Sequence, residues 1–148
     1  MVSRCGHGLP TAIAVAPRLD GGTPFPTTFW LTCPYLVAAV HDLESAGEHR
    51  DWAERATSDP DLAARLQRAD VIYREARLSE GGGFDPCASV GVAGQADPLA
   101  VKCLHARVAA ALAGIADPVG EGVLERLSFG ATLPPCEGSP CGPAVGPS

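Results

Sequence analysis

The sequence predicts an α+β fold: a single helix-rich domain with an N-terminal β-hairpin packed on several helices. Three observations carry this. Two short β-branched or aromatic runs, residues 11–16 and 27–32, flank a turn-rich segment. After Pro34, apolar residues recur at helical spacing in several stretches. Within 148 residues the hydrophobic content is 46% but only 5% is aromatic, so one core built from Ala, Leu and Val faces is expected.

Taken in order, the run 11–16 reads as a strand ended by Pro17, and 18–26 as a loop. Asp20-Gly21-Gly22 and the prolines at 24 and 26 supply its turns. The run 27–32 then pairs back as the second strand of the hairpin. Pro34 fits the first turn of a helix, with Leu36, Val37, Val40 and Leu43 on one face and Gly47 as its stop. A shorter helix covers about 48–56. Ser58 or Asp59 caps the next, with Pro60 at its first position and Leu62, Leu66, Ala69, Ile72 and Tyr73 as the buried stripe to about residue 78. The glycine-rich stretch 79–98 reads as a connecting loop, with a short extended piece around Val90. A last long helix is predicted over 99–113, ended by Gly114, and Asp117-Pro118 opens a short one to about 127. The domain is bounded at 1–132; the Pro/Gly/Cys tail 133–148 has no packing pattern and is expected to be disordered.

Charge excludes some functions. A net charge of −6, from 11 basic and 17 acidic residues without a Lys/Arg block, does not fit a duplex nucleic-acid binder or an anionic membrane surface. The longest strongly apolar stretch, 29–40, is broken by Thr32 and Pro34 and is too short to span a bilayer. Residues 1–10 lack the apolar core of a secretory signal and already carry Cys5 and His7, so a cytoplasmic location is expected. In that compartment six cysteines point to metal binding or buried thiols rather than disulfides.

The soft donors fall in three places. Cys5 and His7 form a Cys-x-His pair, Cys33 stands in Thr-Cys-Pro at a strand-to-helix junction, and Cys103 with His105 forms a second Cys-x-His pair. Zinc takes four such thiolate and imidazole ligands in a tetrahedron, so Cys5, Cys33, Cys103 and His105 are the expected metal set. On a regular helix, residues two apart point about 200° from each other, so Cys103 and His105 can share an ion only if the helix starts near Leu104. Three of the cysteines could alternatively hold an iron–sulfur cluster. Cys33 or Cys103 could also serve as a thiolate nucleophile with His105 as base. His7, Arg18 and Lys102 are the candidates for contacts around the site or to an anionic substrate. Cys87 reads as a loop thiol and Cys136 with Cys141 as an incidental pair in the tail. Glu44, Asp59 and Asp61 serve helix ends as readily as acid–base chemistry, and no carboxylate pair is assigned.

Several of these pieces together resemble a family. They are Arg4-Cys5 through Pro10, Pro17-Arg18-Leu19, Gly22-Thr23-Pro24-Phe25-Pro26-Thr27, Phe29-Trp30-Leu31-Thr32-Cys33-Pro34 and Val101-Lys102-Cys103-Leu104-His105. In them the chain is similar to the bacterial proteins of unknown function classed as DUF501, from residue 4 to about 125. The resemblance implies a cytoplasmic bacterial protein and no particular activity. Members often read Cys-Pro-Cys-Gly where this chain has Cys5-Gly6-His7-Gly8, an exchange that preserves a zinc donor type. Their genes often lie beside cell-division and polyphosphate-phosphatase genes, which implies a protein partner near the division machinery. The expected function is a metal-stabilised regulatory or interaction module. The alternative is a thiol- or metal-dependent enzyme acting on a small anionic substrate.

Overall fold

A computed structural model describes residues 3–127. The expectations for the tail 133–148, Cys136 and Cys141 included, lie outside the described residues.

The N-terminal sheet has three antiparallel strands in the order β1 (Ser3–Arg4), β2 (Pro10–Ala14), β3 (Phe29–Leu31). The predicted hairpin is therefore present as β2–β3, with Ala12 opposite Leu31 and Ile13 opposite Trp30. It gains an edge strand, since a tight turn at Cys5–Leu9 returns the chain from β1, with Gly8 at φ +79°. Two residues carry no legible period, which is why sequence reading passes over β1. Alternation holds on β3: Phe29 is buried in the core, while Trp30 is exposed and stacks on Phe25 at 5.5 Å.

Helix α1 (Pro34–Ser45) begins behind Cys33 and is followed by Gly47 in the left-handed region, φ +87°, as the stop predicts. Helices α2 (Glu48–Ser58) and α3 (Pro60–Glu80) come next. Asp59 caps α3 through its carboxylate, which accepts the backbone N–H groups of Asp61 and Leu62. The buried stripe of α3 is Leu62, Leu66, Ala69 and Tyr73. Ile72 corrects the expected stripe: it is 41% exposed, because it lies about 100° round the helix from Tyr73.

The loop after α3 is not loose. Arg77, fully buried, donates to Asp85 at 2.8 Å and to the carbonyls of Pro26, Cys87, Val90 and Gly91. One guanidinium thus fastens both the 15–28 loop and the 81–98 loop to α3. The extended piece expected near Val90 is replaced by a 3-10 turn at Val92–Gly94.

Helix α4 (Leu104–Leu112) is shorter than the predicted 99–113. The apolar period through Val101 misleads there, because Asp97 captures the chain first. Its carboxylate accepts from Leu99 N–H, its carbonyl accepts from Ala100 N–H, and Cys103 arrives in an extended conformation. Helix α5 (Pro118–Arg126) starts where predicted: Asp117 accepts the N–H groups of Val119 and Gly120 and also pairs with buried Arg107 at 3.0 Å.

Two groups of buried side chains form the core. One joins Ala12 and Phe29 of the sheet to Ala69, Tyr73, Ala106, Ala109 and Ala110. The other joins Val40, Leu62, Leu66, Leu104, Val108, Val119 and Val123. Helices α3 and α4 contribute to both, so the start of α4 is held against α1 on one side and the sheet on the other.

A carboxylate, a thiol and an imidazole at the start of α4

The extended conformation of Cys103 removes the geometric objection to Cys103 and His105 facing the same point. Cys103 sits just before the helix and His105 in its first turn, so the 200° divergence of a regular helix does not apply to them. Both meet Glu44 from the last turn of α1. One donor atom from each of Glu44, Cys103 and His105 lies within 4.8 Å of the other two, and all three residues are half-buried.

The carboxylate of Glu44 has a separate task for each oxygen. Oε2 accepts the backbone N–H of Leu104 at 2.6 Å, satisfying an otherwise unpaired donor at the start of α4, where Cys103 provides no side-chain cap. Oε1 lies 3.2 Å from His105 Nδ1. The other ring nitrogen, Nε2, lies 3.2 Å from the carbonyl oxygen of Val37 on α1. A carbonyl can only accept, so this contact is made by Nε2–H, and Nδ1 is the nitrogen turned towards Glu44.

Burial pushes the Cys103 thiol up from its ordinary pKa, and the negative charge and hydrogen bond of Glu44 add to that; the Ala106 and His105 backbone N–H groups offset part of it. A cysteine in such surroundings stays protonated. Nucleophilic cysteines have the opposite environment, one that lowers the thiol pKa.

Of the residues singled out in the sequence, the structure brings together Cys103 and His105. Cys5 and Cys33 are not members of this three-donor group. Cys33 is buried at the other end of α1, eleven residues from Glu44, about 16 Å along the helix. Cys5 stands at the β1–β2 turn, where its sulfur accepts the backbone N–H of His7 at 3.3 Å. Arg18 lies over the ring of Phe84 at 5.0 Å, against the loop after α3, and Lys102 is exposed next to Cys103. Cys87 is a buried loop thiol donating to Pro17 O at 3.7 Å. The four cysteines among the described residues form no disulfide. Two surface clefts lie elsewhere, both against Trp52 and Arg55 of α2, and contain none of the predicted site residues.

Glu44 is the member that sequence reading misses. It stands 60 residues from Leu104, and its position at the end of a helix gives it an ordinary explanation. Only the packing of α1 on α4 reveals its second role.

No curated protein and no solved structure matches the chain. Residues 1–125 match the family described as "Protein of unknown function (DUF501)", and with most of its length covered the chain belongs to that family.

Proposed function

We propose that this protein is a metal-stabilised regulatory or interaction module whose ion is zinc-type and held by Glu44, Cys103 and His105. One observation carries the reading: His105 Nε2 is committed to the Val37 carbonyl while Nδ1 is turned towards Glu44 in the three-donor group. Metal-binding histidines are typically oriented this way, with the second ring nitrogen donating to a backbone carbonyl or carboxylate. Carboxylate, thiolate and imidazole are all zinc donors. Bonds of about 2.0–2.3 Å at tetrahedral angles place donors roughly 3.3–3.8 Å apart, so the group would contract by about an ångström at its widest on binding.

An ion there would fasten the last turn of α1 to the first turn of α4. Its binding would displace the Cys103 proton, and the binding free energy would add to folding stability. In this proposal the four-ligand set Cys5, Cys33, Cys103 and His105 gives way to three ligands, because of the length of α1 between Cys33 and Glu44. A three-ligand set also leaves a coordination position for water, which favours a second reading, a metal-dependent enzyme. Exposed Lys102 beside the site is its candidate for an anionic substrate.

The test is zinc titration of the metal-stripped full chain by calorimetry, alongside elemental analysis of protein as purified. One ion per chain, lost in Cys103→Ala and His105→Ala, supports the proposal. No zinc binding by the parent, with melting indifferent to chelator, overturns it. A solvent ligand to a bound cobalt probe distinguishes the enzyme reading from a closed site.

A further inference from the structure

The outward face of α3 carries apolar residues that the fold does not use. Val71 is 54% exposed, Ile72 41% and Leu78 44%, on a helix whose opposite face supplies much of the core. Single exposed apolar residues are ordinary; here Val71 and Leu78 share one row, about 20° apart round the helix, and Ile72 stands about 100° from Val71 on the same solvent-facing half. Arg68 and Glu75 flank the first two. Both are exposed, and neither enters an ion pair or side-chain hydrogen bond among the described residues. Seven residues apart, they stand about 10.5 Å from each other along the axis, beyond the three- or four-residue spacing at which opposite charges pair on a helix.

We propose that this face is a self-association surface. A second copy packs α3 against α3 in antiparallel orientation, with the two-fold axis between Val71 and Ile72 and Arg68 of each copy facing Glu75 of the other. The charge pattern selects this occupant. Arg68 and Glu75 lie equally far from the midpoint between Val71 and Ile72, so a two-fold axis there makes two complementary pairs at once from charges that have no partner among the described residues. A two-fold contact must be self-complementary in this way. The same axis places Val71 and Ile72 against their counterparts. Arg74, which would otherwise add charge to this surface, is turned away to Asp70 and the Ala88 carbonyl. One helix from each copy makes a small interface, so the association is reversible and concentration-dependent.

Sedimentation velocity of the full chain over a concentration series tests this. The parent should pass from monomer to dimer, more weakly at high salt because two ion pairs contribute to the contact. Arg68→Glu and Glu75→Arg alone each set like charges opposite one another twice and should weaken the dimer roughly tenfold or more. The double reversal Arg68→Glu/Glu75→Arg should restore it. Ile72→Asp should abolish it with the far-ultraviolet spectrum unchanged, since the position is exposed. A parent that stays monomeric overturns the proposal. So does a dimer indifferent to the single reversals, or one that the double reversal fails to restore; either points to another surface, such as the stacked Phe25 and Trp30.

Discussion

Arg77 and His105 both face carboxylates across the fold, and the two surroundings differ in how completely their hydrogen-bonding capacity is used. Arg77 has no exposed surface, Asp85 is 4% exposed, and all three guanidinium nitrogens meet acceptors. The side chains of His105 and Glu44 are 25% and 22% exposed, and burial together with the neighbouring carboxylate pushes the Cys103 thiol up from its ordinary pKa. A buried charge with every valence occupied holds a structure in place. A partly exposed carboxylate, thiol and imidazole with donor atoms within 4.8 Å of one another are a candidate for a cation. The first region therefore belongs to the fold, and the second is the candidate for chemistry.

The largest expected effect lies at the first. Arg77→Ala leaves Asp85 buried without its partner and opens four carbonyls at once, and removal of one member of a buried pair costs about 3–5 kcal/mol. Urea denaturation should show that loss, together with proteolytic opening of the 81–98 loop. A cost below about 1 kcal/mol would remove the distinction between the two regions.

At the second region the effect should depend on metal. In metal-free protein Cys103→Ala should change stability little, since it removes one sulfur from a partly buried side chain at the edge of the first core group. With zinc at a hundredfold excess over its dissociation constant, the parent should gain about 2.7 kcal/mol and the variant nothing. Glu44→Gln separates the two oxygen roles. It retains an oxygen to cap Leu104 but loses the charge, so zinc stabilisation should fall while the helix start remains formed. Equal stabilisation of parent and both variants would place the ion elsewhere.

What was legible in the sequence follows the same division. Pro34, Asp59-Pro60 and Asp117-Pro118 mark helix starts because capping is local chemistry between residues a few positions apart. The start of α4 is misread because the apolar spacing of Val101 and Leu104 continues through a turn that Asp97 imposes. Arg77 gives no signal, since its partners come from two loops that only the tertiary fold brings to α3. Cys103 and His105 are visible as donor types. Glu44 is not, and Cys33, equally visible, is at the wrong end of α1 to join them. Donor chemistry is written in residue type; membership of a site is decided by packing.

Tyr73 sharpens the comparison through pH. Its hydroxyl accepts the Thr28 N–H at 2.8 Å, its ring meets Phe29 edge-on, and burial raises its pKa above the ordinary 10.0, with the Thr28 and Phe29 contacts and Arg77 acting in the opposite direction. A folded pKa above the unfolded one means that the contribution of the neutral phenol is fully present below pH 10 and declines as pH rises towards the folded value. Tyr73→Phe strands a buried N–H and should cost about 1–2 kcal/mol at pH 7. The gap between parent and variant should narrow in stability measurements above pH 10. A gap constant with pH would show that the phenol titrates alike in folded and unfolded chains.

The smallest effect belongs to an ion pair with one partner largely in water. Arg126 on α5 lies 3.4 Å from Glu48 on α2, and its side chain is 63% exposed. Water solvates the guanidinium almost as well in the folded chain as in the unfolded one, and salt screens what attraction remains. Arg126→Gln should therefore cost about 0–1 kcal/mol, shrinking towards zero in high salt, when measured by urea denaturation at two ionic strengths. Arg77→Ala should be nearly salt-independent in the same experiment, because no counter-ion reaches a side chain with no exposed surface. If the two variants cost the same and respond alike to salt, completeness of burial is not what separates the structural charges of this fold from the rest.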